Sequence, residues 1–419
     1  MTPLTPQPTD LAPRPLPAYG APTDVTDSPG PFVVIHSLTS VVGVNLNMDM
    51  DHLPKTLRIG GAERMRVSSQ SLARAAREYM RTDRTQQHPG AHALSTRSLP
   101  TAVAQQLETE HDVDTADAHP LAVLVVAASG LSINPSRPGQ TRAMASVPAD
   151  APAQLARIVM THLNDLDGPR EAMEDTIAHW VATSQRTATT PAVEDPGSPL
   201  RGLPKALVAA AQDALAPGTV EEIALFGRFL AELPSPAGRI FSAAHIAHGF
   251  GADPLNRFAD EFTAHDDYQE GGVFSGSGML GRQYLVSGTL YRQASLDRRQ
   301  LRQTLALSGR SEAEVETLAQ SAERRWTQAI VRSLPKARRS RHGSPPRPTL
   351  AVIATSDEAL TASPAFEEPI TAQPAGPHAA ARLATYLHHL DLRQGTALWQ
   401  SPAGEVPPAL PDVLTVKGF

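Results

Sequence analysis

Cysteine is absent from all 419 residues, which removes disulfides, thiolate metal ligands and cysteine nucleophiles together and fits a reducing cytosol. Also missing is an apolar run long enough to cross a bilayer. The longest, LAVLVVAA from Leu121 to Ala128, falls far short of the ~20 residues a spanning helix needs and reads as a buried strand. The N-terminus lacks a charged start followed by an apolar block, so no secretory signal is read and a soluble, cytoplasmic protein is expected. Positive charge is not in excess either: the formal net charge is -6. Any nucleic-acid surface must therefore be a local patch.

Signatures of catalysis are scarce. There is no HExxH pair, no glycine-rich phosphate loop ending in Lys-Ser or Lys-Thr, and Gly276-Ser277-Gly278 lacks the strand-to-helix context of a cofactor fingerprint or nucleophile elbow. His245 and His248 stand three apart on a candidate helix, with His265, Asp266 and Asp267 downstream. A metal-dependent nuclease would want such ligands, but no further ligand has the right spacing. The search for a catalytic site is therefore mostly negative, and no cofactor or metal is expected.

What is present is an ordered alternation of patterns. Residues 1–30 carry closely spaced prolines and few apolar anchors, the composition of a disordered arm. Phe32 to Ser40, Tyr284 to Ala294 and 349–355 read as strands, being rich in β-branched residues. Helices are expected over Ser71–Arg84, 151–164, 169–185, 204–216, 311–333, and along the apolar face of Glu221–Leu233. The glycine-containing stretch 241–283 reads as loop-rich. Strands so far apart share a sheet only if helical and loop insertions leave it and return, which is an α+β organisation.

The richest stretch is KTLRIGGAERMRVSSQSLARAAREYMRTDR, Lys55 to Arg84. Gly60-Gly61 permits conformations closed to other residues and a close approach to a ligand. Ser68 or Ser69 caps the next helix, whose first amides suit a phosphate. Arg74, Arg77, Arg81 and Arg84 follow at helical spacing and form a stripe, with Lys55, Arg58, Arg64 and Arg66 upstream. Such a stripe can follow a strand's phosphates without reading bases, and it is equally compatible with a solvated helix face. A second basic segment, Arg324 to Arg347, holds Arg325, Arg332, Lys336, Arg338, Arg339 and Arg341, either a nucleic-acid clamp or a solvated loop.

Five stretches, in order, resemble the CasC family, the backbone subunit of the type I-E CRISPR Cascade complex. They are FVVIHSLTSVVGVNLNMDMDHLPKTLRIGGAERMRVSSQSLARAAR; IALFGRFLAEL; AAHIAHGF with FTAHDDYQEGG; GMLGRQYLVSGTLYRQASLD; and the basic loop with AVIATSD and Ala365-Phe366-Glu367. Residues 81–220 and the tail after about 370 match poorly.

The resemblance implies an RRM-like (ferredoxin-like) palm from 31–80 and 284–419, helical fingers inserted over 81–235, and a thumb hairpin over 241–283. It implies a non-catalytic subunit that polymerises along crRNA beside other copies of itself and other Cascade subunits, supports target DNA recognition by guide pairing, and has no membrane partner. Carried over residue by residue, RNA contacts fall to Lys55, Arg66, Ser68, Ser69, Gln70, Arg74, Arg77, Arg338, Arg339 and Arg341, with Met279 and Leu280 as an apolar wedge. The strand at 32–40 lacks the aromatic pair with which RNA-recognition modules stack bases. Met48 and Ala73 stand where the family usually carries basic residues. The alternatives are a metal-dependent nuclease that uses the His245, His248, Asp266 and Asp267 neighbourhood and a free-standing single-stranded RNA-binding protein.

Overall fold

The computed structural model describes residues 30–87, 92–162, 203–215, 220–230, 233, 238–264, 279–336, 346–400 and 408–418. In chain order they form β1 (Phe32–Val44), β2 (Thr56–Ile59), β3 (Ala62–Val67), α1 (Ser69–Gln87), β4 (Ala93–Thr96), α2 (Leu99–His111), α3 (Thr115–Ala128), β5 (Ala145–Pro148), α4 (Ala151–His162), α5 (Lys205–Asp213) and α6 (Glu221–Phe226). Then follow β6 (Arg228–Phe229), β7 (Arg239–Ile240), β8 (Ala244–Ile246), β9 (Gly249–Gly251), β10 (Asn256–Ala264), β11 (Met279–Asp297), α7 (Arg298–Ala306), α8 (Glu312–Arg332), β12 (Leu350–Ser356), α9 (Ala375–Leu387), β13 (Leu392–Trp399) and β14 (Leu414–Gly418). The chain divides into two units, one drawn from Met1–Thr82, Ala244–Arg299 and Gln320–Phe419, the other from Asp83–Ala243 and Gln300–Ala319. The expected helix at 169–185 and the Pro-rich arm lie outside the described residues.

The first unit is built on a ten-stranded mixed sheet in the order β14-β13-β12-β1-β11-β9-β3-β2, with β8 and β10 also paired to β11. Its centre is β1, whose residues from Val33 to Thr39 are all buried because both sheet faces are covered. On one face Val34, Leu38, Tyr291 and Val352 pack with Ala379, Ala380 and Leu383 of α9. On the other, Arg292 pairs across from Ser37 and donates to the carbonyls of Ile330, Ser333 and Val331 at 3.0, 2.7 and 3.2 Å. It thereby satisfies acceptors that the end of α8 leaves open.

Within the first face, the buried His36 holds its Nδ1 3.0 Å from the Tyr291 hydroxyl. Burial pushes its pKa down to about 4 from 6.5, so the folded state binds fewer protons than the unfolded one as pH falls below 6.5. The neutral imidazole's stabilisation is whole above pH 6.5 and is lost progressively down to pH 4, about 3 kcal/mol in all. Denaturant unfolding should show stability already falling between pH 6.5 and 5, before most carboxylates titrate, with a flatter profile for His36→Phe. Equal slopes in the two proteins would contradict this account.

Two glycines earn their positions. β2 and β3 join through Gly60 and Gly61, at φ +56° and +78°, the left-handed pair that a two-residue hairpin turn demands. A Cβ on Gly60 would stand 1.8 Å from the Glu367 carbonyl oxygen. The close approach expected of this pair for a ligand is thus, at Gly60, an approach to the chain's own backbone.

The second unit has a helical core in which α3 packs against α2, α4 and α5. Here the reading of LAVLVVAA as a strand is overturned. The run is the second half of α3, capped by the Asp114 carboxylate accepting from the Ala116 N–H, and its residues from Leu121 to Ala128 are buried all round. A helix surrounded by helices carries no polar stripe, so the 3.6-residue period is invisible. The helix expected over Glu221–Leu233 also stops early. Gly227, at φ +75°, sits where a Cβ would meet the Ile240 carbonyl and the Ser242 amide at 2.9 Å, and the chain turns into β6. The stretch 241–283 contains β8, β9 and β10 in its described part, so it is more regular than its composition implied, and His245 lies on a strand, not a helix.

Candidate nucleic-acid interface

The elements that position the basic stretch meet at Asn47. Its side-chain oxygen accepts the Ser68 N–H at 2.9 Å, and its carbonyl accepts the Lys55 N–H at 2.8 Å. The Lys55 carbonyl in turn accepts the Arg66 N–H at 2.8 Å. Upstream, the Asp49 carboxylate accepts the Asp51 and Leu53 amides, each at 2.9 Å, which fixes the loop leading to Lys55. Local hydrogen bonds thus gather Lys55, Arg66 and Ser68 although thirteen chain positions separate the first from the last. The half-buried Lys55 has no side-chain hydrogen bond or ion pair among the described residues.

Ser68 is the cap of α1: its hydroxyl accepts the Ser71 N–H at 3.3 Å. The Ser69 N–H goes instead to Nδ1 of His248 at 2.9 Å, and the Ser69 hydroxyl donates to the Gln70 side chain at 3.3 Å. Since Nδ1 accepts, a neutral His248 carries its proton on Nε2. The Arg66 guanidinium 3.5 Å from that nitrogen is then a contact between two donors. Partial desolvation, with the Arg66 charge adding to it, holds His248 below its ordinary pKa. The residue weighed as a metal ligand instead serves the start of α1, and among the described residues no group of three His, Asp or Glu side chains could hold a metal. Asp266 and Asp267 lie outside them.

Along α1, Leu72, Ala75, Ala76 and Met80 face the core. At 100° per residue, Gln70, Arg74, Arg77 and Arg81 fall on the opposite side. Arg74 is exposed, with Nε 2.9 Å from Glu78, and Glu78 also meets the Lys336 ammonium at 3.4 Å. The Arg74 hydrogen bond, helped by Lys336, holds the Glu78 carboxyl below the usual range. These residues line a cleft of about 470 Å³ with Asn47, Met48 and His52. A second cleft, about 580 Å³, opens beside His248 between Ile59, Tyr291, Gln293 and Thr361.

Two basic residues counted toward this surface belong elsewhere. Arg64 is buried and donates to five backbone carbonyls, those of Gly251, Ala252, Ile59, Phe366 and Glu367. Arg325 is buried as well. The arginines at 338, 339 and 341 lie outside the described residues, as does the side chain of Arg84. Met279 and Leu280 are exposed at the outer described end of β11, paired with Ala264 and Thr263 of β10. The part played by His248 was hidden from sequence reasoning; the only signal was its place in AAHIAHGF, with nothing to indicate contact with Ser69, 179 positions away.

Comparison with known proteins gives consistent likenesses. The family model described as CT1975-like protein matches residues 33–402. Among solved structures, a chain of a "CRISPR RNA-guided surveillance complex, pre-nicking" is 24% identical with a TM-score of 0.70, covering 93% of this chain and 96% of that one. A chain of a "CRISPR RNA-guided surveillance complex" is 23% identical with a TM-score of 0.61, covering 89% and 93% respectively. At such identities the likeness establishes the fold. No curated protein matches the chain.

Proposed function

The chain belongs to the CT1975-like protein family, the CasC-type backbone subunits that its motifs resemble, and from that premise we propose that it grips the sugar-phosphate backbone of a CRISPR guide RNA without catalysing a reaction. The observation that carries the reading is the outer face of α1. It starts at a serine-capped end beside Lys55 and continues through Gln70, Arg74, Arg77 and Arg81 on the side away from the core. Guanidinium groups at one and two turns' spacing suit successive phosphates.

Burial supports the same reading. With β1 covered on both faces, no bare sheet centre is left on which bases can stack, as they do on ordinary RNA-recognition modules. The first unit would serve as the RNA-recognition-like palm, the second as the fingers, and the β10–β11 ribbon with Met279 and Leu280 as the thumb. Several copies would line one guide in a Cascade-type assembly of the type I-E kind, with other subunits, in the cytoplasm. The guide's exposed bases would then pair with target DNA.

The double variant Arg74→Ala, Arg77→Ala should load guide RNA more weakly by a similar factor for every sequence. The slope of log affinity against log salt should flatten by about one unit per lost contact. Filter binding across a salt series with guide and scrambled RNAs measures both. An unchanged slope, or a strong base preference in the unsubstituted protein, would remove the reading.

A further inference from the structure

The antiparallel pairing of β3 with β9 sets Arg66 against Phe250 and Val67 against Gly249. The next step of that register faces Ser68 with His248, at the point where the strand ends and α1 begins. The segment is anchored by the Ala247 N–H, which donates to the Gln293 carbonyl at 3.1 Å. His248 is therefore fixed in backbone, yet its side chain is exposed.

Two donors converge on its ring. Nδ1 accepts the Ser69 N–H at 2.9 Å, whereas the Arg66 guanidinium stands 3.5 Å from an Nε2 that also carries a proton. Only the first of these contacts is a hydrogen bond. Arg66 has no carboxylate partner and no other side-chain contact among the described residues, so a cation and an N–H face each other without an acceptor between them. An anionic oxygen placed there would accept from both. The cleft beside the ring adds two titratable groups, Glu367 and Tyr291. Glu367 is exposed, and the Tyr291 hydroxyl is engaged with His36. On the histidine's own segment the nearest ionisable neighbour is His245, also exposed. Arg66 is the charge that acts on His248, and with partial desolvation it favours the neutral ring.

We propose that His248 holds the place of a guide phosphate in the RNA-free chain and becomes a ligand of that phosphate on loading, taking up a proton as it does so. The inference rests on the guide-binding reading and extends it by coupling the grip to pH. The exchange balances. A proton from solvent binds Nδ1, the Ser69 N–H turns from Nδ1 to a phosphate oxygen, and the Arg66 guanidinium and the imidazolium donate to the same anion. Without the phosphate, a charged ring would meet only the repulsion of Arg66. With it, one repulsion is offset by two attractions, so the loaded state favours the protonated ring and the free state the neutral one. By linkage, guide affinity rises as pH falls through the window between the two.

Guide loading of the full chain, measured by filter binding at fixed ionic strength from pH 8 to pH 6, tests this. The unsubstituted protein should bind about fivefold tighter at pH 6 than at pH 8. His248→Asn keeps an acceptor for the Ser69 N–H but cannot gain a proton, so that difference should disappear. Calorimetry in two buffers of unlike ionisation heat should show proton uptake on loading that the asparagine variant lacks. His52 and His245 remain in both proteins, so any titration of theirs cancels in the comparison. Circular dichroism at each pH verifies the fold.

An asparagine variant that keeps the full pH dependence would overturn the proposal and leave His248 a purely structural support of α1. So would an unsubstituted protein whose affinity ignores pH or rises with it. Failure of the guide-binding reading looks different: Arg74→Ala with Arg77→Ala would then leave loading intact at every pH, or the chain would load no guide at all, and the proposal would fall with it. If the His248 inference alone is wrong, the arginine variant still loses affinity while the two pH profiles coincide.

Discussion

Replacing Arg64 by methionine should lower the free energy of unfolding by about 3–5 kcal/mol, among the largest effects of any single substitution in this chain. The guanidinium is buried and donates to five carbonyls from three separate parts of the chain, at 3.0 to 3.4 Å. Burial presses its pKa down while the nearby Asp253 carboxylate opposes that shift. A methionine fills much of the volume but donates nothing, so all five acceptors lose a charged donor in a desolvated setting, although the Ala252 carbonyl keeps a backbone partner, the Ile370 N–H at 2.9 Å. Arg64→Lys should fall between the two, since an ammonium has three donors and no planar fork. Urea unfolding followed by circular dichroism reads the difference. A midpoint within error of the unsubstituted protein would mean that water replaces the guanidinium.

The second large effect concerns the buried pair of Arg298 and Glu323, whose side chains are 0% and 1% exposed. Nε of Arg298 donates to Glu323 at 2.8 Å, a second guanidinium nitrogen bonds the other carboxylate oxygen, and the third bonds the Gly30 carbonyl at 3.1 Å. Glu323→Ala strands a buried cation and should destabilise by about 3–5 kcal/mol. The double variant Arg298→Met, Glu323→Leu removes both charges and should be less harmful than the single one, because attraction between buried ions is largely spent on their desolvation. Thermal unfolding of the three proteins side by side decides this. A double variant less stable than Glu323→Ala would show that the pair itself adds net stability.

Both predictions concern arginines that a charge count would assign to a nucleic-acid surface. Separating them from Arg74 and Arg77 matters for any experiment on guide binding, because loss of RNA affinity in an Arg64 variant would report a damaged fold. The variants at Arg74 and Arg77 avoid that ambiguity to different degrees. Arg74 is exposed with one carboxylate partner, Glu78, whereas Arg77 is half-buried.

The amino-acid sequence by itself determined those features whose cause lies within a few residues. The β-branched runs became β1, β11 and β12, the serine pair before an Ala-Arg-Leu pattern became a capped helix, and Arg74, Arg77 and Arg81, at three- and four-residue spacing, lie on one outer side. Local backbone preference and periodicity are enough for each.

Tertiary structure alone decided the rest. LAVLVVAA became helix once neighbouring helices covered every side of it. Gly60 met Glu367, and Arg64 found acceptors 187 to 303 positions away. His248 reached Ser69, 179 positions away. Whether a cation is buried or bare depends on which distant carbonyls arrive beside it, and no spacing in the chain records that.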